Sequence, residues 1–348
     1  MHPLRLLLWL VTASALVIGL GACAATDPSA TAADVNGSLV TPGQLDTAAG
    51  VFRSVYGVQQ QSVCGTEDGP TDTPEAACNR LALTALVLFQ LSDSYAADHG
   101  IVVPDSDVTT AIQRFESSYG KDVLQQQLDA NGVTSEDFAH LMRESIVQNE
   151  VAKALYEAKL EQQQGGVRAA YRQSLGDYTI VQVDHILVKT RAEAEQAYQQ
   201  VTAPGATRND FLALAKRISI DPSVKQNGGS LGSAYAATYT PEFANAVVNM
   251  QPGEISKPVH TTFGWHVIRM EAKQVTPFAK AKDQILQKGS GPAFHDWATG
   301  FAAGEAIDVN PTFGRWDEVQ LAVVRVTSTD PSATDSPESP VDVATPTG

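Results

Sequence analysis

The spacing of apolar and polar residues separates a helical part of this chain from a shorter, strand-rich part. Thr73-Pro74 supplies a capping side chain and a proline at the first helical position, and Gly100 favours a helix end, so we predict a helix between them. Its apolar face is too wide for a helix with one solvated side, which predicts a central helix. Three further helices are predicted: one that begins at Asp105, one over 121–130 and one from 134 to about 162.

Strand patterns stand near both ends of the folded body and in its second half. The segment 34–40 is typical of a short strand with an Asn-Gly turn signal. His185 and His266 each lie inside an alternating or apolar run that predicts a strand. Three more segments follow the second histidine, two of them helical and the last strand-like: 277–287, 293–303 and 306–311.

The first residues have the layout of a secretory signal. Arg5 is the only charged side chain before residue 27, and 6–20 is a nearly unbroken apolar run. It ends in Leu20-Gly21-Ala22-Cys23, which resembles a bacterial lipobox, whose cysteine is diacylated and becomes the first mature residue. An uncleaved membrane span is the alternative, because the run approaches the roughly 18 to 20 residues that a span needs. We therefore expect a signal peptide over 1–22, a lipid on Cys23 and a flexible tether over 23–33.

These features place the rest of the chain at the cell membrane, lipid-anchored on its extracytoplasmic face. Three cysteines divide into Cys23 and one remaining pair, Cys64 and Cys78. In an oxidising compartment such a pair favours a disulfide, and two buried free thiols are the alternative.

Charge and composition narrow the function further. The formal net charge of −15, without basic clusters, argues against nucleic acid or an anionic membrane surface as a partner. From about Ser328 onward the chain has almost no large apolar residue, so it cannot bury a core. We predict a disordered tail and place its boundary at 321.

Five short motifs occur in one order between residues 178 and 275, and together they resemble the parvulin family of peptidyl-prolyl cis/trans isomerases. The motifs are His185-Ile186-Leu187-Val188, Ile220-Asp221-Pro222, Gly228-Gly229-Ser230-Leu231-Gly232, Pro241-Glu242-Phe243 and Phe263-Gly264-Trp265-His266-Val267-Ile268. The resemblance implies an isomerase domain over 176–275, with a small antiparallel sheet flanked by helices.

The flanking regions resemble the SurA and PrsA class of extracytoplasmic chaperones. The matching features are Val35-Asn36-Gly37, the segment 100–105 between helices, and the segment 131–138. The resemblance implies an α+β fold class, in which 34–175 and 276–320 together form one helical chaperone domain. The C-terminal strand should return to the N-terminal strand, and the parvulin domain is inserted between the two segments.

The parvulin resemblance also implies a site. His185 and His266 match two histidines that face each other across the sheet floor through hydrogen bonds, and Asp221 and Thr261 match the other members of that network. Leu231, Tyr239 and Phe243 match the apolar wall that holds the proline ring. Ser230 replaces the usual aspartate of the glycine-rich turn, and Tyr239 stands where Met or Leu is common. Lys189 and Arg191 are too few for the basic loop of phosphate-selecting parvulins.

The residues leave other interpretations open. A histidine in a buried strand is more often a satisfied core residue than a functional one. A metal site formed by two histidines and Asp221 lacks the short ligand spacing of known motifs. The run 228–232 is a literal Gly-x-Ser-x-Gly, but a hydrolase nucleophile elbow needs a strand before the serine and a helix after it. Here a polar turn precedes the serine, and 232–235 also reads as a turn.

The resemblance therefore implies a membrane-tethered foldase that binds unfolded or partly folded secreted polypeptides and isomerises their X-Pro bonds. Such a reaction breaks no covalent bond, so neither a cofactor nor a metal is implied. The alternative is a non-catalytic holdase that uses the parvulin unit only to bind peptides. A purely structural envelope lipoprotein is a third class, for which no residue speaks directly.

Overall fold

The computed structural model describes residues 31–61, 64–65, 67, 69, 71–302 and 307–327. The expected signal peptide, the lipid at Cys23, most of the tether and the tail from Ser328 onward lie outside these residues. Among the residues that the structure describes, none of the helices is long and apolar enough to span a bilayer.

Two units make up the structure, and the first of them, the helical unit, combines both ends of the described chain. Its elements are β1 (Ala33–Val35), β2 (Ser38–Val40), α1 (Pro42–Val58), α2 (Pro74–His99), α3 (Asp105–Tyr119), α4 (Lys121–Ala130), α5 (Ser135–Gln164), α6 (Val167–Gln173) and, after the inserted unit, α11 (Phe278–Ala302), β7 (Ile307–Val309), β8 (Arg315–Asp317) and β9 (Ala322–Val324).

The inserted unit lies between α6 and α11. It begins after a 3₁₀ segment, Leu175–Tyr178, and its elements are β3 (Thr179–Val188), α7 (Arg191–Val201), α8 (Arg208–Ile218), α9 (Val224–Asn227), β4 (Ser230–Tyr235), a second 3₁₀ segment (Ala236–Thr238), α10 (Pro241–Asn249), β5 (Val259–Thr261) and β6 (Gly264–Val275).

Capping chemistry explains where the long helices begin and end. Thr73 accepts a hydrogen bond from the Ala76 backbone N, and Gly100 ends α2 in the left-handed region at φ 66°. Thr134 and Asp137 form a reciprocal capping box at the start of α5. The predicted starts and ends of α2 and α4 are confirmed, and α5 extends two residues beyond the expected end. Leu83 and Val87 of α2 are fully buried, as expected for a central helix.

The C-terminal strand returns to the N-terminal strand, which confirms that expectation. β7 pairs antiparallel with β1, from Ala33 opposite Val309 to Val35 opposite Ile307. β1 and β2 form a hairpin whose turn residues, Asn36 and Gly37, both have positive φ. The expected tether boundary is wrong by two residues, because Ala32 and Ala33 are buried in this sheet. The Ala32 backbone N donates to Val40 O at 2.7 Å.

The expected tail boundary at 321 is also wrong. β9 pairs antiparallel with β8, and the backbone N of Val323 donates to the Thr84 hydroxyl of α2 at 2.8 Å. Leu321 and Val323 are buried, so this apolar stretch joins the core of the helical unit.

The two helices expected near the C-terminus form one, α11, which contains Pro292. Ala281 and Ile285 are buried before the proline, and Phe294 and Ala298 are buried after it. The long packing of α11 against α5 and α6 outweighs the cost of the proline, which removes one backbone donor and crowds the carbonyl four residues earlier. The close approach also needs Gly289, because a Cβ there would overlap the ring of Tyr156.

A four-stranded antiparallel sheet in the order β4-β3-β6-β5 forms the centre of the inserted unit. On one face, Ile186 and Val267 pack with Phe211 of α8. On the other, Val181 and Ile268 pack with Phe243 of α10. The structure thus confirms the α+β fold class, with a small sheet flanked by helices inserted into a helical unit.

A disulfide joins Cys64 to Cys78 in the helical unit. Both cysteines are buried, and Cys78 lies on α2, so the bond attaches the loop after α1 to the central helix. Asp72, at the far end of that loop, forms an ion pair with Arg80, which lies two residues after Cys78 on α2.

Candidate functional site

The two histidines come together because β3 and β6 are neighbours in the sheet. Leu187 is opposite His266 and His185 is opposite Ile268, so the two histidines are diagonal neighbours across the strand pair. Their Nδ1 atoms are 3.2 Å apart, and their rings stack with centroids at 5.4 Å. Relative exposures of 4% and 5% show that both side chains are buried.

Asp221 closes one end of the network. Its Oδ2 lies 2.5 Å from His185 Nε2, and its Oδ1 accepts from the Ser223 backbone N at 2.9 Å. The Ser219 hydroxyl accepts from the Leu187 backbone N at 3.1 Å, which ties the Asp221 turn to β3. Sequence reasoning missed Ser219 and Ser223. The Asp-Pro-Ser order after Ile220 carries the signal for the second, since an aspartate commonly accepts from the backbone two residues on.

Thr261 closes the other end. Its Oγ1 lies 2.8 Å from His266 Nε2 and also accepts from the Phe263 backbone N at 3.1 Å. Four side chains therefore form one hydrogen-bonded chain, which we call the histidine network: Asp221, His185, His266 and Thr261.

An ionised Asp221 determines the direction of every bond in this network. A carboxylate only accepts, so His185 must donate from Nε2, and its Nδ1 is then an acceptor in the neutral ring. His266 therefore donates from Nδ1 to His185, and its own Nε2 accepts from the Thr261 hydroxyl. The backbone N of Phe263 occupies a remaining lone pair of the Thr261 oxygen, so every group in the network has a compatible partner.

The electrostatics agree with this arrangement. Burial, and secondarily the neighbouring His185, lowers the pKa of His266 to about 4. Burial also lowers the pKa of His185, although Asp221 acts in the opposite direction. Burial alone would raise the pKa of Asp221, but hydrogen bonds from the Ser223 backbone and from His185 outweigh it and hold that pKa below its usual value. At neutral pH the network holds two neutral imidazoles and one carboxylate.

An apolar wall stands beside the network. Phe243 is buried, and its ring lies edge-on to His266, with centroids 5.3 Å apart and planes at 86°. The Tyr239 ring packs against Phe243 at 4.7 Å, and Leu231 contacts the same apolar cluster. The structure thus brings every residue expected at the isomerase site into one place.

The glycine-rich turn supports His185 through the backbone. The backbone N of His185 donates to Gly229 O at 2.7 Å. A Cβ on Gly229, which has φ 97°, would lie only 2.8 Å from His185 O, so this position requires glycine. Helix α9 precedes Ser230 and strand β4 follows it, which is the reverse of the order in a nucleophile elbow. The expectation that 232–235 is a turn is wrong, because these residues lie in β4 and 233–235 pair with β3.

Within the described part of the chain, no group of three or more His, Cys, Asp or Glu side chains is placed to hold a metal ion. The site combines an apolar wall with a floor of two neutral, buried imidazoles that are hydrogen-bonded to the Asp221 carboxylate and the Thr261 hydroxyl. It can hold a small apolar ring against Phe243 while a polar group of the same ligand faces the histidines.

Comparisons with known proteins agree with these two units. Residues 181–272 match the family described as PPIC-type PPIASE domain, and residues 3–152 match the family described as SurA-like N-terminal domain. The foldase protein PrsA of Caldanaerobacter subterraneus subsp. tengcongensis is 30% identical over 203 residues, which is 58% of this chain and 60% of that protein. The foldase protein PrsA of Clostridium tetani is 30% identical over 209 residues, which is 57% of this chain and 60% of that protein. The chain thus spans less than two thirds of the length of these relatives.

Solved structures show similar chains. A peptidylprolyl isomerase (PrsA) from Bacillus cereus is 19% identical, covering 87% of this chain and 95% of that one, with a TM-score of 0.34. A peptidylprolyl isomerase (PrsA) from Bacillus anthracis is 25% identical, covering 60% of this chain and 88% of that one, with a TM-score of 0.29.

Proposed function

We propose that this chain, which joins a SurA-like N-terminal domain to a PPIC-type PPIase domain, is a membrane-tethered extracytoplasmic foldase. It binds unfolded secreted polypeptides and catalyses cis/trans isomerisation of their X-Pro bonds. The observation that carries the proposal is the buried histidine network lying directly beside the Phe243 wall. The names of the two foldase relatives point in the same direction.

The reaction explains why such a site needs no strong nucleophile. Rotation about a peptide bond has a barrier of about 18–20 kcal/mol, because it interrupts amide resonance. Each ~1.4 kcal/mol by which the site binds the twisted amide better than the planar one accelerates the exchange about tenfold. The protein therefore has to hold the proline ring, remove water from the amide and present groups complementary to the twisted state.

The observed residues fit these tasks. Phe243, Tyr239 and Leu231 supply an apolar surface for the proline ring. The histidine network supplies fixed dipoles that need no reorganisation during the rotation, because each of its hydrogen bonds is already made. The low pKa of His266 keeps that ring neutral at pH 7, so no buried positive charge competes for the amide. In this mechanism the network positions and polarises, and no proton is transferred to or from the substrate.

The remaining assignments belong to the same proposal. The isomerase domain covers 176–275, and the chaperone domain combines 34–175 with 276–320, extended to 32 and 324 by the contacts described above. A signal peptide over 1–22 and a diacylated Cys23 attach the chain to the outer face of the cell membrane. The Cys64–Cys78 disulfide fits that oxidising location.

The decisive experiment measures isomerisation of a proline tetrapeptide by the mature protein with and without Phe243→Ala. Loss of the ring removes the wall, so KM should rise or the rate should disappear. Phe138→Ala is the matched control, because Phe138 is an equally buried phenylalanine in the helical unit. Melting curves must accompany both variants, since loss of a buried phenylalanine costs about 3–5 kcal/mol of stability. If the wild-type protein prevents aggregation but isomerises no proline peptide, the enzyme proposal fails and the holdase alternative takes its place.

A further inference from the structure

The proline-binding wall rests on the segment that connects the two units. The 3₁₀ segment Leu175–Tyr178, which we call the connecting segment, packs against the 3₁₀ segment Ala236–Thr238. The contact is unusually close, because a Cβ placed on Gly176 would lie 3.2 Å from the Ala237 backbone N and 3.4 Å from its Cβ. Glycine at this position allows the two backbones to touch.

The second 3₁₀ segment leads directly into the wall. Ala236 is fully buried in the same apolar cluster as Phe243. The backbone N of Tyr239 donates to Ala236 O at 3.1 Å, and the Tyr239 ring then packs on Phe243 at 4.7 Å. Any outward displacement of Ala237 must therefore move the Tyr239 side of the proline pocket.

The opposite side of the connecting segment is seated in the helical unit. Tyr178 is buried in a cluster formed with side chains of α5, α6 and α11. Its carbonyl accepts from the Thr276 backbone N at 2.8 Å, and the Tyr171 hydroxyl donates to Thr276 O at 2.7 Å. The Tyr171 ring also packs against Tyr178 and Phe278, at 5.5 and 5.6 Å. The segment that enters the inserted unit and the segment that leaves it are thus held together against the helical unit.

We propose that Gly176 is a positioning residue for the isomerase pocket. Through its contact with Ala237, the connecting segment sets where Tyr239 stands, so proline affinity depends on a segment seated in the helical unit. This inference rests on the proposed function. The wall holds the proline ring in the ground state and in the twisted state alike, so its displacement changes KM and leaves kcat nearly unchanged.

The test is the kinetics of Gly176→Val in the full mature chain. The branched side chain cannot fit against Ala237, so the second 3₁₀ segment must move. We expect KM for a proline tetrapeptide to rise about fivefold, with kcat within about twofold of wild type. Gly300→Val is the matched control, because a Cβ at Gly300 meets no atom within 4 Å. Gly176→Ala is the milder variant and should raise KM by about twofold, which carries the test where the valine variant fails to fold.

Four results decide the matter. A folded Gly176→Val protein with wild-type KM overturns the positioning role, and so does a loss of kcat with KM unchanged. A wild-type protein that isomerises no proline peptide overturns both this inference and the proposed function. An active wild type whose KM rises in Phe243→Ala but not in either Gly176 variant leaves the proposed function intact and refutes only the role of Gly176.

Discussion

Replacing Asp221 with asparagine tests the direction of every hydrogen bond in the histidine network. Oδ1 of Asp221 accepts from the Ser223 backbone N, and Oδ2 faces His185 Nε2. An asparagine in the same pose must keep its oxygen toward Ser223, so its NH₂ group points at His185. The amide then donates where the carboxylate accepted, and both histidines must change tautomer.

The size of the effect follows from the bonds exchanged. A charge-assisted bond worth about 1.5–3 kcal/mol is replaced by a neutral one worth about 0.5–1.5 kcal/mol, so Asp221→Asn should lower the free energy of unfolding by about 1–2 kcal/mol. Little is lost to solvent screening, because the two side chains are 15% and 5% exposed. Asp221→Ala leaves the buried His185 N–H without its partner, at a cost of about 1–3 kcal/mol.

Nitrogen NMR of the imidazole rings at pH 7 reads the tautomers directly. Wild type should show the proton on Nε2 of His185 and on Nδ1 of His266, and Asp221→Asn should show the reverse for both rings. Urea unfolding supplies the stability change, a proline tetrapeptide supplies the rate, and Asp283→Asn, an exposed residue of α11, is the control. Unchanged tautomers in Asp221→Asn would refute the derived bond directions. An unchanged rate in both Asp221 variants would remove the network from the mechanism.

Three further predictions concern stability and attachment. The pKa of His266 is about 4 when folded and its ordinary value is 6.5, so the unfolded state takes up this proton first as the pH falls. The free energy of unfolding should therefore drop by about 3 kcal/mol from above pH 6.5 to below pH 4, and an equally steep drop in His266→Gln would contradict this. Mass spectrometry of non-reduced protein should show Cys64 joined to Cys78, whose loss should cost about 3 kcal/mol; two alkylated thiols in native protein would exclude the bond. Cys23→Ala should abolish labelling by a fatty-acid probe and, if the signal is still cleaved, release protein from the membrane fraction, whereas persistent labelling would place the lipid elsewhere.

The site was largely predictable because its residues lie in short motifs with strong local constraints. Gly229 is needed because a Cβ at this position would lie too close to His185 O. The alternation of side chains along β3 and β6 places His185 and His266 on the face of the sheet that packs against Phe243. The family resemblance adds the register that joins these motifs, which no local pattern contains. Helix ends such as Thr73 and Gly100 were predictable for the same local reason, since capping involves residues within one turn.

The errors concern places where distant packing decides the local structure. Pro292 interrupts the helical pattern in the sequence. The helix α11 nevertheless continues past it, because residues on both sides of the proline are buried against α5. Val323 lies in a strand because it pairs with Trp316, and Thr84, far away in sequence, accepts its backbone N–H. The role of Ser219 could not be predicted for a similar reason. Its hydrogen-bond partner, Leu187, lies on β3, and helices α7 and α8 separate the two residues in sequence. Such contacts depend on the assembled fold, and the sequence near each residue carries no signal for them.

The insertion itself has a physical consequence for how the two units act together. β1 and β7 close the helical unit around the insertion, and the Tyr178–Thr276 hydrogen bond closes the inserted unit at its base. Each unit is thus closed by its own backbone contacts. The two closures meet at the connecting segment, where Gly176 contacts the pocket and Tyr178 contacts the helices. A change in the helical unit therefore has a direct route to the Tyr239 wall, whereas the histidine network is held in place on the sheet by its own hydrogen bonds.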